Sequence, residues 1–222
     1  MRKDSAKKRF KMYNITLICT THIEIGNCNL RELCRIIEEN NPEIIFEELS
    51  LAVYNECYGI QNRITLETSA IKLYLQKRKI EHIPVVGSEL TSDLEGKFKL
   101  MTNNEDYCNL IESLMSSEEK LGFQFLNSEQ CEELFEKIKT IEKLILKNND
   151  DEILFRINQL GDETVDNYEN EIIKYVYCYS ETHNYNIAIL FIGAAHRKSI
   201  IQKIQEYQMN QKIKLNWTFY NK

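Results

Sequence analysis

Short apolar runs rich in β-branched residues alternate with stretches of helical period, and this rhythm constrains the fold more than any single motif does. Tyr13 to Thr20 (YNITLICT), Glu43 to Glu47 (EIIFE), Ile80 to Gly87 (IEHIPVVG) and Asn186 to Ile192 (NIAILFI) read as strands. Runs that are apolar at consecutive positions need cover on both faces, which is the situation of a parallel sheet clad in helices. The intervening stretches supply those helices. Leu30, Leu33, Cys34 and Ile37 share one helical stripe. It opens at Asn29, with Glu32 three residues on as a capping box, and stops at Asn40, Asn41 and Pro42. A second helix is expected near Leu66 to Lys79, and another carries Ile200, Ile201, Ile204 and Tyr207. Lys212 to Tyr220 (KIKLNWTFY) alternates as a final edge strand. The fold class that follows is α/β, with a central, largely parallel sheet and flanking helices. With 2 Pro and 7 Gly in 222 residues, the chain lacks the turns that a β-sandwich or barrel needs.

The middle changes character. From about Leu90 to Thr182 no run reads as a strand, and a helical insertion is expected over about 91–182. Cys131, Leu134, Phe135, Ile138, Ile141 and Ile145 form one stripe there, and Val165, Tyr168, Ile172, Tyr175, Val176 and Tyr179 form another. Residues 1–13 form a basic tail, expected to be poorly ordered: Arg2, Lys3, Lys7, Lys8, Arg9 and Lys11 stand against Asp4. Residues 14–222 are then a single α/β domain. The whole chain is acidic, at −6, which disfavours nucleic acid and anionic membrane as partners. The longest apolar run, Ile187 to Ala195, is too short to cross a bilayer. Seven cysteines with no C-x-x-C pair, and no apolar stretch after the basic start, point to free thiols in a reducing cytoplasm. Cys34 and Cys131 fall on apolar stripes and read as small core residues.

In an open parallel sheet, ligands bind beyond the carboxyl ends of the strands. The first strand runs into His22 and Glu24, and the second ends in Glu47 and Glu48. The third ends before Glu89, and the fourth passes Gly193 and reaches His196. Each thus delivers an imidazole or a carboxylate to the same edge. That pairing suits general acid–base catalysis, or a divalent cation such as zinc, manganese or iron that lowers the pKa of bound water. Glu47 and Glu48 project to opposite faces if the strand continues through them, so at most one belongs to the site. Gly193 reads as a steric demand of a tight turn. His196 opens a helix, whose positive end should keep the imidazole neutral. Its side chain should project beyond the sheet, so truncation is expected to cost about 1 kcal/mol of stability or less. His82, mid-strand, and His183, in a polar loop, read as structural or solvated. No phosphate-binding loop, dinucleotide fingerprint, H-E-x-x-H or G-x-S-x-G occurs.

At these residues the sequence resembles the superfamily that joins the TraB/PrgY pheromone-shutdown proteins, Tiki proteases, haem-binding ChaN proteins and erythromycin esterases. Its hallmark is two G-x-x-H motifs, each closing a strand, with a P-[DE]-hydrophobic-E-L segment between them. The second motif is Gly193-Ala194-Ala195-His196, and the middle segment is Pro42-Glu43-Ile44-Ile45-Phe46-Glu47-Glu48-Leu49. The first reads Cys19-Thr20-Thr21-His22, with Cys in place of Gly. Glu89, in VVGSEL, fits the acid that often follows the third strand. The Arg that often follows the E-L segment has no local counterpart, since Leu49 leads into SLAVYN. The resemblance covers roughly residues 14–90 and 186–209. It implies a hydrolase of amide or ester bonds, metal-dependent (Mn, Zn, Fe or Co) through His22, Glu48 and His196, with Glu24 and Glu89 in support. The same resemblance allows a metal-free esterase, or a non-enzymatic binder of haem, iron or peptide. The expected partner is a peptide or small-molecule substrate.

Overall fold

The computed structural model describes residues 13–87, 95–148, 152–211 and 213–220. Within them β1 (Tyr13–Thr20), β2 (Ile44–Ser50), β3 (Glu81–Val86), β4 (Ile187–Gly193) and β5 (Leu215–Phe219) form one all-parallel sheet, ordered β3-β2-β4-β1-β5. Helices α1 (Leu30–Asn40), α2 (Leu51–Tyr58) and α3 (Leu66–Lys77) link the first three strands. Between β3 and β4 run α4 (Glu95–Thr102), α5 (Glu105–Leu121), α6 (Phe123–Leu126), α7 (Glu129–Asn148) and α8 (Glu152–Thr182). A one-turn 3₁₀ helix (Ala194–His196) and α9 (Arg197–Asn210) lead from β4 to β5. The expected basic tail lies outside the described residues, apart from Tyr13, which opens β1. Glu89 lies outside them too.

The α/β expectation holds, and local chemistry explains most boundaries. Adjacent Leu17 and Ile18 are both buried, as a central strand covered on two faces requires. Asn29 caps α1 by accepting from the Glu32 N–H at 3.0 Å. The Glu32 carboxylate pairs with Arg35, however, so the expected reciprocal box is a single cap. A full box opens α3 instead, between Thr65 and Thr68. Asn41, in the left-handed region at φ 45°, ends α1.

Strand β2 runs past its expected end at Glu47 to Ser50. Ser50 then caps α2 directly, its Oγ accepting from the Val53 N–H at 3.2 Å. The helical segment between β3 and β4 is part of the core. Ile172, Ile173, Val176 and Tyr177 of α8 are buried, and Tyr179 meets Phe46 of β2 edge-on at 5.5 Å. All seven cysteines are free. Burial pushes the Cys28 and Cys131 thiols up to about 12, so both are inert core groups. No described helix is long and apolar enough to cross a membrane.

One buried amide joins α6 to the sheet. Strand β5 pairs with β1 only as far as Leu17, whose carbonyl accepts from Tyr220 N–H at 3.0 Å. Beyond that point Asn127, 1% exposed, takes over. Its Oδ1 accepts from Cys19 N–H at 2.8 Å, and its Nδ2 donates to Cys19 O and Phe123 O, each at 2.9 Å. A side chain thus adds one more rung to the ladder, immediately before the chain turns to His22. Asn127→Ala strands these buried backbone groups and should cost about 2–4 kcal/mol in a denaturant titration. A loss below about 1 kcal/mol would show that the rung is dispensable.

Candidate functional site

Strands β1 and β4 are neighbours at the middle of the sheet, and the chain leaves them in opposite directions. After β1 it crosses to β2, and after β4 it crosses to β5. This divergence opens a crevice at the carboxyl edge of a parallel sheet. His22 and His196 follow those two strands directly, and Glu48 arrives from β2 on the other flank of β4. Side-chain alternation sorts the two glutamates. Phe46 and Glu48 share the face that carries α8, where Phe46 meets Tyr179 and Glu48 meets Tyr168. Glu47 turns to the other face. There it lies 2.7 Å from His82 Nδ1 and accepts from the Tyr58 hydroxyl at 2.6 Å.

The Gly193–His196 turn grips Glu48 twice. Gly193 N–H donates to Glu48 Oε2, and His196 Nε2 stands 3.5 Å from Glu48 Oε1, which also accepts from the Tyr168 hydroxyl at 2.9 Å. The turn does not require glycine. Gly193 has φ −58° and ψ 138°, open to any residue. A Cβ there would meet Glu48 Oε2 at 3.5 Å and His196 Cδ2 at 3.6 Å, ordinary contacts. The contribution of Gly193 is its N–H, which corrects the steric reading.

His196 is also not held neutral by the helix end. Its Nδ1 lies 2.7 Å from Glu169 Oε1, and Glu169 is 2% exposed. Burial lowers the pKa of His196, but the Glu169 hydrogen bond and the charges of Glu48 and Glu169 outweigh it. The imidazole ends above its usual value. Glu169 moves the opposite way. Burial alone would raise it, but His196, Ser199 and Lys203 pull it below the usual carboxylate value. Truncating His196 would leave that buried charge with only Ser199 Oγ and Lys203 Nζ, the latter at 3.3 Å. The small stability cost expected from sequence is therefore revised upward.

His22 is built in the same way. Its Nδ1 lies 3.1 Å from Glu67 Oε1, which also accepts from the Thr20 hydroxyl at 2.8 Å. The Glu67 hydrogen bond raises the pKa of His22 against the effect of burial, and the charge of Glu48 adds to it. The His22 side chain is 64% exposed, so it forms the open rim. Glu48 is pushed up by burial. His196, Gly193 N–H, Tyr168 and His22 pull it back only in part, so it stays above the usual carboxylate value. Thr20, His22, Glu47, Glu48 and Glu67 line a cavity of about 20 Å³, so Glu47 and Glu48 both reach it, against the expectation that at most one would.

The structure thus brings His22 and His196 each into electrostatic reach of Glu48. It places Glu24 elsewhere: its Oε1 accepts from Leu30 N–H at 2.9 Å, at the start of α1. Glu67, Tyr168 and Glu169 were missed from sequence. All three sit on helices: Glu67 and Glu169 carry polar side chains that ordinarily mark a solvated face, and Tyr168 falls on an apolar stripe, where it reads as packing. Only the Thr65 cap offered a signal, fixing Glu67 in the first turn of α3. The donor chemistry suits a divalent cation, since each imidazole has Nδ1 tied to a carboxylate, as metal-binding histidines do, and the Nε2 of His196 faces Glu48 at 3.5 Å. His22, Glu48 and His196 are the residues that would hold it. Among the described residues, no three His, Cys, Asp or Glu side chains are already grouped as such a shell. Comparison with family models, curated proteins and solved structures finds no match to this chain.

Proposed function

We propose that this chain hydrolyses amide or ester bonds in a peptide or small-molecule substrate, using Glu48 with His22 and His196. One observation carries the reading. A mostly buried carboxylate with a raised pKa is in reach of two imidazoles, and each imidazole has its Nδ1 fixed by a further carboxylate. Raising a carboxylate toward neutrality makes it a better general base at working pH. Glu48 accepts a proton from water. His196, held as imidazolium by Glu169, keeps Glu48 ionised until then. His22, as imidazolium at the rim, faces the substrate carbonyl, stabilises the developing oxyanion and protonates the leaving group. A divalent cation (Mn, Zn, Fe or Co) bound by His22, Glu48 and His196 would supply a water of lowered pKa, the metal-dependent form implied by the resemblance. Seven free thiols fit a reducing, cytoplasmic setting.

The pH profile tests the assignment of base and acid. Activity needs Glu48 ionised and His22 protonated. It should therefore rise through a pKa above the usual 4.5 of Glu and fall through one above the usual 6.5 of His. The check is kcat/KM across pH on any substrate found. A profile that is flat where His22 titrates would remove His22 from the chemistry.

A further inference from the structure

Glu67 has two oxygens in different situations. Oε1 takes the Thr20 hydroxyl and His22. Oε2 is buried and has no hydrogen-bond partner among the described residues, and the residue as a whole is 8% exposed. A buried carboxylate oxygen without a donor is unfavourable unless something fills the gap. Glu67 lines the cavity of about 20 Å³ that Thr20, His22 and Glu48 also line. A water needs roughly 10–15 Å³ and two or more polar partners, so a space of about 20 Å³ beside Glu67 has room for one.

We infer that this cavity binds the single water that serves as nucleophile, and that Glu67 is the residue that positions it. This rests on the hydrolase reading and names the part that reading left open. The water donates one hydrogen to Glu67 Oε2 and the other to Glu48. Its oxygen lone pairs are then turned away from both carboxylates and are free to attack. Glu67 holds both participants, the water through Oε2 and His22 through Oε1. In the step, the water oxygen bonds to the substrate carbonyl carbon as one of its protons passes to Glu48. The bond to the leaving group then breaks, with a proton supplied by His22.

Two measurements test this separately from the hydrolase reading. A crystal structure fine enough to show ordered water should place one water within hydrogen-bond distance of Glu67 Oε2. A dry cavity, or a protein donor on Oε2, overturns the inference whether or not the protein hydrolyses anything. On an active substrate, Glu67→Gln retains an acceptor for Thr20 but loses the second carboxylate oxygen. It should lower kcat about 10²-fold or more and leave KM within about twofold. Wild-type kcat in Glu67→Gln overturns the inference. A water in place beside a wild type that cleaves nothing keeps the water site and refutes the hydrolase reading.

Discussion

Glu48→Gln should lose hydrolysis by about 10²–10⁴-fold while melting at or above the wild-type temperature at neutral pH. The two effects share a cause. Glu48 is a carboxylate held where burial disfavours its charge, and its partners restore only part of that cost. Its folded pKa lies above the unfolded 4.5, so the folded state binds the proton more tightly. Ionisation therefore subtracts stability as pH rises from 4.5 through the folded value. The amide never ionises, so the variant escapes that loss, and Gly193 N–H keeps an acceptor. Below the unfolded pKa the two proteins should converge. Melting curves at acid and neutral pH, with rates on one preparation, check both halves. A variant that melts well below wild type at neutral pH would make Glu48 a structural residue.

His196→Ala should differ, losing activity to a similar degree and about 2–4 kcal/mol of stability as well. His196 has a raised folded pKa, so its contribution is fully present below the unfolded 6.5 and is lost as pH climbs through the folded value. Glu169 has a lowered one, so its contribution is present above the unfolded 4.5 and is lost as pH falls through the folded value. The destabilisation should therefore peak between about 4.5 and 6.5 and shrink above the folded His196 pKa. Denaturant titrations inside that window and well above it check the pattern. A destabilisation that does not change with pH would mean that packing, and not the ion pair, is what the side chain supplies.

The parts of the molecule legible in sequence are those where one signal dominates. YNITLICT reads as a strand and is one to the residue, because its apolar, β-branched run admits no other reading. Strand β2 was cut short at Glu47 because Glu47, Glu48 and Ser50 are polar. The two glutamates are held by tertiary partners, namely His82, Tyr58, Tyr168 and Gly193, which no local pattern announces, and Ser50 caps the next helix. The edge carrying His22, Glu48 and His196 could be placed because parallel strands deliver their ends to one side. Glu67 and Glu169 could not, because the helix face that meets a histidine is decided by packing across 45 and 27 residues of chain. Motif residues can also mislead. Gly193 looks like a steric necessity, yet it acts through an N–H that any residue but proline would offer.

The central claim is that Glu48 and the two histidines form one working acid–base site. The most direct test is hydrolysis of a panel of peptides and esters by the purified chain, metal-depleted and then supplied in turn with Mn, Zn, Fe or Co, with Glu48→Gln, His22→Ala and Glu48→Gln/His22→Ala alongside. Wild type should cleave, and the double variant should be hardly worse than the poorer single one, because residues that act as a unit are not additive. No cleavage under any condition, or losses that multiply as though the two residues worked apart, would contradict that claim.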